Sequence, residues 1–313
     1  MKVFKDINQV NIKNPVATIG IFDGVHLAHQ AIIRQLQEKA KEVSGETVII
    51  TLWPHPRIVL DPDNNSIQLI NTLEEKIIKL EKSGVENLII LPFDKNFAAL
   101  GFDDFIQNIL VKKLNIHHLV VGFNHHFGRN REGNYDRLQV LANKIGFSLS
   151  RVEPYIMYGE KVSSSEIRKL LIAGEIRKAS EFLGYPFFIA GNVVPGKKMG
   201  RSIGFPTANI AVTDSHKIIP KNGVYAVDAE VDSIIYEGMM NIGCRPTIDS
   251  ECIKSTLEVN LFDFSGNLYQ KELRVNFYAR IRDEIKFNNL EELSVQISRD
   301  RDRVRKVLQN RKK

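Results

Sequence analysis

Val16-Ala-Thr-Ile-Gly20-Ile-Phe-Asp-Gly24-Val-His26-Leu-Ala-His29 is the stretch where an apolar run gives way, across a turn, to a helical pattern. Residues 16–22 read as a buried strand, and Ile32, Leu36, Ala40 and Val43 then recur at helical spacing. His26 and His29 therefore stand at a strand-to-helix junction. The first N–H groups of a helix lack intrahelical partners and attract anions, and imidazoles beside them can donate to phosphate oxygens as charge develops. The same two rings could also do no more than cap the helix, so H-x-x-H alone leaves nucleotide chemistry and capping open.

Outward from that junction, strand and helix patterns alternate. Candidate strands cover residues 16–22, 47–52, 87–92, 119–123 and 147–152, and candidate helices cover 28–43, 73–82, 103–114 and 136–145. Such alternation implies a parallel sheet with helices on both faces, and its ligands lie at the carboxyl ends of the strands. Residues 164–173 and 175–183 read as two closing helices. After Gly184-Tyr-Pro186 the texture changes to short strands at 187–194, 223–231, 234–242, 256–264 and 273–281, broken by Gly, Pro and Asn. These predict an antiparallel barrel or sandwich, finished by a helix over 290–308. The expected domains are 1–184 and 185–313.

Further motifs sit where that architecture puts strand ends and helix starts. They are Thr51-Leu-Trp-Pro-His55-Pro, Val121-Gly-Phe-Asn124-His-His-Phe-Gly128 and Val162-Ser-Ser164-Ser165-Glu-Ile-Arg168. The second half carries Gly196-Lys-Lys-Met-Gly200-Arg201-Ser-Ile-Gly204-Phe-Pro-Thr207-Ala-Asn209, Met240-Asn-Ile-Gly-Cys-Arg-Pro-Thr247 and Leu257-Glu258-Val-Asn-Leu-Phe-Asp-Phe264. In this order and spacing the chain resembles the bacterial bifunctional riboflavin kinase and FAD synthetase family, over roughly residues 12–308. G-F-P-T-A-N is the most specific string.

The resemblance implies an α/β chain: a Rossmann-like nucleotidyltransferase domain with a parallel sheet, then an antiparallel β-barrel with a terminal helix. It implies two reactions. ATP phosphorylates riboflavin to FMN, and a second ATP transfers its adenylyl group to FMN, giving FAD and pyrophosphate, with Mg²⁺ accompanying ATP. By the family pattern, Gly20, Phe22, Asp23 and Gly24 form the nucleotide turn, and His26 and His29 face the α-phosphate. Arg168, preceded by Ser164 and Ser165, holds the β- and γ-phosphates bidentately. Asn124 meets a nucleotide or flavin phosphate, and His55 shapes a flavin-side turn. In the second module, Thr207 and Asn209 offer neutral oxygens to Mg²⁺ and Glu258 accepts the hydroxyl proton. Gly196, Gly200 and Gly204 let backbone approach phosphate, while Arg201 is either a phosphate contact or surface charge.

Ala28 stands where the family has glycine, Asn260 where a histidine is common, and Trp53 and Ser165 replace Phe and Thr. A kinase with an impaired adenylyl module is therefore a competing reading, and a flavin or nucleotide sensor is another. Retention of His26, His29, Arg168, Thr207, Asn209 and Glu258 favours the enzyme.

The net charge of +6 invites nucleic acid as a partner, but residues 299–313 hold eight basic and two acidic side chains, so the remainder is neutral overall. A basic last helix reads as a solvated face complementing its own dipole. The expected partners are ATP, riboflavin and FMN, with no nucleic acid and no membrane, for a cytoplasmic monomer or weak homo-oligomer. Cys244 and Cys252 are read as reduced thiols. His117, His118, His125 and His126 do not form a metal cluster: an extended segment of seven residues at about 3.3 Å each separates the two pairs by roughly 23 Å.

Overall fold

The computed structural model describes residues 1–61, 67–123, 128, 133–196, 200, 203–244 and 255–311. Contacts within the chain divide it into two compact units, Met1–Ser164 and Ser165–Lys313.

In the first unit the apolar runs form a parallel sheet of β1 (Lys2–Phe4), β2 (Val16–Ile19), β3 (Thr47–Trp53), β4 (Asn87–Pro92), β5 (His118–Gly122) and β6 (Ser148–Val152). The order is β1-β4-β3-β2-β5-β6. Side chains alternate across a strand, and both faces are buried. In β3, Val48 and Ile50 enter a core with Phe102, Phe105 and Leu138, while Ile49 enters another with Ile33, Leu36 and Leu80. The second core lies under α1 (Leu27–Glu42) and α3 (Leu73–Lys82). The first lies under α5 (Phe102–Phe105) and α6 (Tyr135–Ile145). The short α2 (Pro56–Leu60) and α4 (Lys95–Ala98) follow β3 and β4. A small hairpin, β7 (Ile156–Met157) with β8 (Glu160–Lys161), comes late in the unit.

Two features of this unit depart from the sequence pattern. Residues 103–114 read as one α-helix, yet Ile106–Val111 is π-helical, with Lys112 N–H donating to Gln107 O and Leu114 N–H to Ile109 O. The wider turn keeps Ile106, Leu110 and Leu114 buried against the sheet, which their i, i+4 spacing permits in either helix. β1 went unread because three residues are too few to show a period.

The second unit opens with α7 (Ser164–Ala173), whose first residue belongs to the preceding unit, and α8 (Ile176–Leu183). Then come β9 (Phe188–Val194), β10 (Ala208–Ala211), β11 (Gly223–Val231), β12 (Ile234–Cys244), β13 (Ser255–Leu261) and β14 (Glu272–Arg282). They close into a barrel in the order β10-β13-β12-β11-β14-β9, every pairing antiparallel. Barrel rather than sandwich follows from β10, which bridges β9 and β13. It begins within P-T-A-N, whose proline and asparagine read as a turn, and runs on to Ala211. The terminal helix, α9 (Leu290–Gln309), sets Val304 and Leu308 against Val224, Ala226, Met239 and Ile281 of the barrel.

Two expectations are corrected here. The basic tail is not simply a solvated face: Arg282 pairs with Asp300 of α9 at 2.7 Å, Arg305 with Asp263 at 2.9 Å, and Arg311 with the buried Asp228 at 2.8 Å. Cys244 is disulfide-bonded rather than a free thiol. The chain's other cysteine, Cys252, lies outside the described residues.

Candidate active sites

The turn after β2 is held in a conformation that most side chains avoid. Phe22, Gly24 and Val25 have φ of 52°, 89° and 38°, and for a β-branched residue such as Val25 this is strained backbone. Asp23 secures it. Its buried carboxylate accepts from Ile70 N–H at 3.0 Å and from Asn71 N–H at 3.0 Å, tying the turn to the segment before α3. Gly20 continues the β2 ladder through its N–H to Ile50 O at 3.0 Å, and Gln30 Nε2 donates to Val25 O at 3.1 Å.

His26 is the N-cap of α1, its Nδ1 accepting from the His29 backbone N–H at 3.4 Å. A ring nitrogen that accepts carries no proton, which assigns the proton of His26 to Nε2. That nitrogen lies 3.3 Å from Ser164 Oγ, and the Ser164 hydroxyl donates to Asp23 O at 2.8 Å. The first and last motifs of this unit, 138 residues apart, thus meet at His26. The His29 ring stacks on His26 with centroids 3.6 Å apart and lies 4.8 Å from Phe22. Its Nδ1 is buried with no hydrogen-bond partner among the described residues. Burial first, then electrostatic interaction with His26 and Lys76, holds its pKa well below the usual imidazole range, so His29 is neutral at pH 7. Capping and site geometry are therefore both true of this histidine pair.

The remaining first-half residues are less tightly drawn together. His55 is the N-cap of α2, accepting from Arg57 N–H at 3.1 Å through Nδ1. Ser165 is exposed and Arg168 half-buried on the first turns of α7, with Ser164 and Arg168 at i, i+4 on one helical face. Asn124, His125 and His126 lie outside the described residues. His118, expected at a strand start, places Nε2 2.9 Å from Ser150 Oγ, and burial lowers its pKa. Sequence reasoning passed over Lys76, which is 1% exposed with Nζ 5.2 Å from the Trp53 ring centroid.

In the second unit, pairing of β10 with β13 sets Asn209 directly across from Glu258. Thr207 Oγ1 is 3.5 Å from Glu258 Oε2. Asn260, the departure from the family's usual histidine, donates from Nδ2 to Pro206 O at 2.7 Å and so fixes the loop that carries Thr207. Gly196 packs against the Asn209 amide, where any Cβ would collide. Of these, Thr207, Glu258 and Asn260 line a cavity of about 230 Å³, together with Gly200, Asn241 and the Arg282–Asp300 pair among others. Gly204, with φ of 81°, lies in the preceding turn, and Arg201 is outside the described residues. A second cavity of about 270 Å³, lined by Val193, Thr207, Val259, Phe264 and Tyr269, shares Thr207 with the first.

The FAD synthetase family model matches residues 8–166 and the riboflavin kinase family model residues 183–308. The bifunctional riboflavin kinase/FMN adenylyltransferase of Bacillus subtilis is 39% identical over 300 residues, covering 95% of this chain and 94% of the relative. Its namesake from Haemophilus influenzae is 37% identical over 303 residues, covering 96% and 97%. A crystal structure from Streptococcus pneumoniae, described as a macrolide-efflux protein, superposes with a TM-score of 0.88 at 31% identity over 97% of this chain and 98% of that one. No helix among the described residues of the present chain is long and apolar enough to cross a membrane. With both modules matched and relatives aligned over nearly their whole length, the chain belongs to the bifunctional riboflavin kinase/FMN adenylyltransferase family.

Proposed function

We propose that the two activities of this family are divided between the two sites: FMN adenylylation at the turn around His29 together with α7, and riboflavin phosphorylation at the barrel cavity, with the functional boundary at residues 184/185. The chain converts riboflavin and ATP to FMN, and FMN and ATP to FAD and pyrophosphate. The observation that carries the division is convergence. Motif residues 138 apart meet at His26, and motif residues 51 apart meet at Glu258, each within its own unit.

In the adenylyl reaction an FMN phosphate oxygen attacks the α-phosphorus and pyrophosphate leaves. No covalent enzyme intermediate is required, so the residues position substrates and stabilise charge. His29, neutral and with a ring nitrogen unsatisfied, donates to the α-phosphate as its charge grows. His26 holds His29 in place by the cap and the stacked ring, and Ser164 fixes His26. Arg168 holds the departing pyrophosphate with its planar fork. The free N–H groups at the start of α1 add to the same field.

At the barrel, Glu258 takes the proton of the riboflavin 5′-hydroxyl as that oxygen attacks the γ-phosphorus and ADP leaves. The Thr207 hydroxyl and the Asn209 amide oxygen, set beside a carboxylate, suit a small hard cation that keeps water and phosphate ligands. Mg²⁺ held there with ATP would neutralise the transferring phosphoryl group. Asn260 keeps Thr207 facing Glu258 through the Pro206 carbonyl.

A double dissociation tests the division. His29→Ala should slow FAD formation from FMN by about 10² to 10³ while FMN formation from riboflavin continues. Glu258→Gln should slow FMN formation by about 10² to 10⁴ while supplied FMN is still adenylylated. Loss of both activities in either variant would refute separate sites.

A further inference from the structure

Lys76 occupies the first turns of α3, in a string, Leu-Glu-Glu-Lys, that reads as the solvated start of a helix. It is instead 1% exposed. Lysine stems are readily covered, but their ammonium heads normally reach water, and burying one without a partner is among the most unfavourable placements open to a fold. Among the described residues its Nζ makes no hydrogen bond and no ion pair; its contact is with the face of Trp53, 5.2 Å to the ring centroid. Titratable groups that interact with it are Asp23 from the turn after β2 and His29 from α1, whose ring stacks on His26, and Glu75 precedes it in its own helix. Asp23, which attracts the ammonium, is already engaged by two backbone N–H groups. The side chain is buried and its charge has no bonded partner among the described residues, while Nζ itself is not among the fully enclosed unpartnered atoms.

The chemistry of the neighbouring turn supplies a reason. Both substrates of the adenylyl reaction are polyanions, and His29 is held neutral, so that ring brings no positive charge to them. We propose that Lys76 is a further substrate-contacting residue of the adenylyl site: its ammonium, held between Trp53 and the Asp23 turn beside His29, takes an oxygen of a phosphate group supplied by ATP or by FMN. Trp53, the chain's departure from the family's phenylalanine, offers the stronger cation–π face. This rests on the reading that places adenylyl transfer at the His29 turn. Burial, opposed by Asp23, lowers the Lys76 pKa from 10.5 to about 8, so the group is charged at neutral pH and loses its proton within a range that kinetics can reach.

The test uses the full-length protein with ATP, Mg²⁺ and FMN, and compares Lys76→Met, of similar length without charge, and Lys76→Arg with the parent and His29→Ala. Lys76→Met should lower adenylylation kcat/KM by about 10- to 100-fold, the range for one hydrogen bond to a charged group, and leave riboflavin phosphorylation unchanged. A loss confined to the ATP titration assigns the triphosphate; one confined to the FMN titration assigns the flavin phosphate. In the parent the same parameter should worsen above about pH 8, and Lys76→Arg, charged throughout, should lack that limb. Lys76→Met should also melt no lower than the parent, because it removes from a buried side chain a charge with no bonded partner among the described residues. The proposal is overturned if Lys76→Met adenylylates normally while His29→Ala does not, or if its lost activity comes with a lowered melting point and the parent shows no limb near pH 8. If neither variant loses FAD synthesis, it is the location of the site that fails.

Discussion

His29 couples the chemistry of the turn to its stability. Its folded pKa is held well below the 6.5 of an unfolded chain, so the native state resists protonation. The stability this contributes is complete above about pH 6.5 and is lost as pH falls toward the depressed folded value. His118 shifts in the same direction through burial and adds to the trend. Thermal melting of the first unit should therefore decline steadily on acidification below about pH 6.5. The His29 ring resonances should not titrate between pH 6.5 and 8, and a midpoint inside that window would contradict a neutral donor. The H-x-x-H spacing was legible in the sequence because one helical turn fixes it. The distinct surroundings of the two rings were not, since the Ser164 hydroxyl that meets His26 comes from 138 residues away. Lys76 was equally illegible, because local sequence records helix propensity and not what a helix face is pressed against.

At the scale of elements, β10 is the smallest strand of the barrel and the one that brings the proposed kinase residues together. Its register sets Asn209 against Glu258, and the Asn260 amide holds the loop before it. Asn260→Ala should lower riboflavin kinase kcat/KM by about tenfold and destabilise the second unit by about 1 kcal/mol, the usual worth of a net hydrogen bond. Adenylylation of supplied FMN, measured beside it, should be unchanged. Asn260→His, which restores a side-chain donor, should retain more activity than the alanine variant. Strand-helix alternation gave the parallel sheet because long apolar runs carry their own period. β10 escaped for the opposite reason: four residues after a proline have no period to read, and their pairing is decided by strands on either side. The π-helical segment escaped because apolar spacing cannot separate two helices that bury the same face.

Across the whole molecule, two cations of the tail, Arg305 and Arg311, pair with acids elsewhere in the second unit. Asp228, buried on β11, accepts from Asn276 Nδ2 at 2.8 Å, Tyr278 OH at 2.7 Å and Arg311 Nη1 at 2.8 Å. Burial and then Asp228 raise the Tyr278 pKa, so that hydroxyl stays a donor. Ending the chain at Asn310 removes the only cation paired with Asp228 among the described residues and should destabilise the second unit by about 1–2 kcal/mol, toward the low end because Arg311 is itself 36% exposed. Urea unfolding monitored on the barrel would show it, with FAD synthesis from FMN unaffected; an unchanged midpoint would return the tail to the role of solvated surface. The seam between the two compact units carries a different lesson. It falls at Ser164/Ser165, inside the string that runs on to Arg168. Anyone separating the activities by cutting at that seam would obtain an amino-terminal piece with every residue of the turn but without Arg168, the residue proposed above to hold pyrophosphate. A cut after Gly184 keeps both, so on the proposed division the piece expected to adenylylate FMN is longer than the first compact unit.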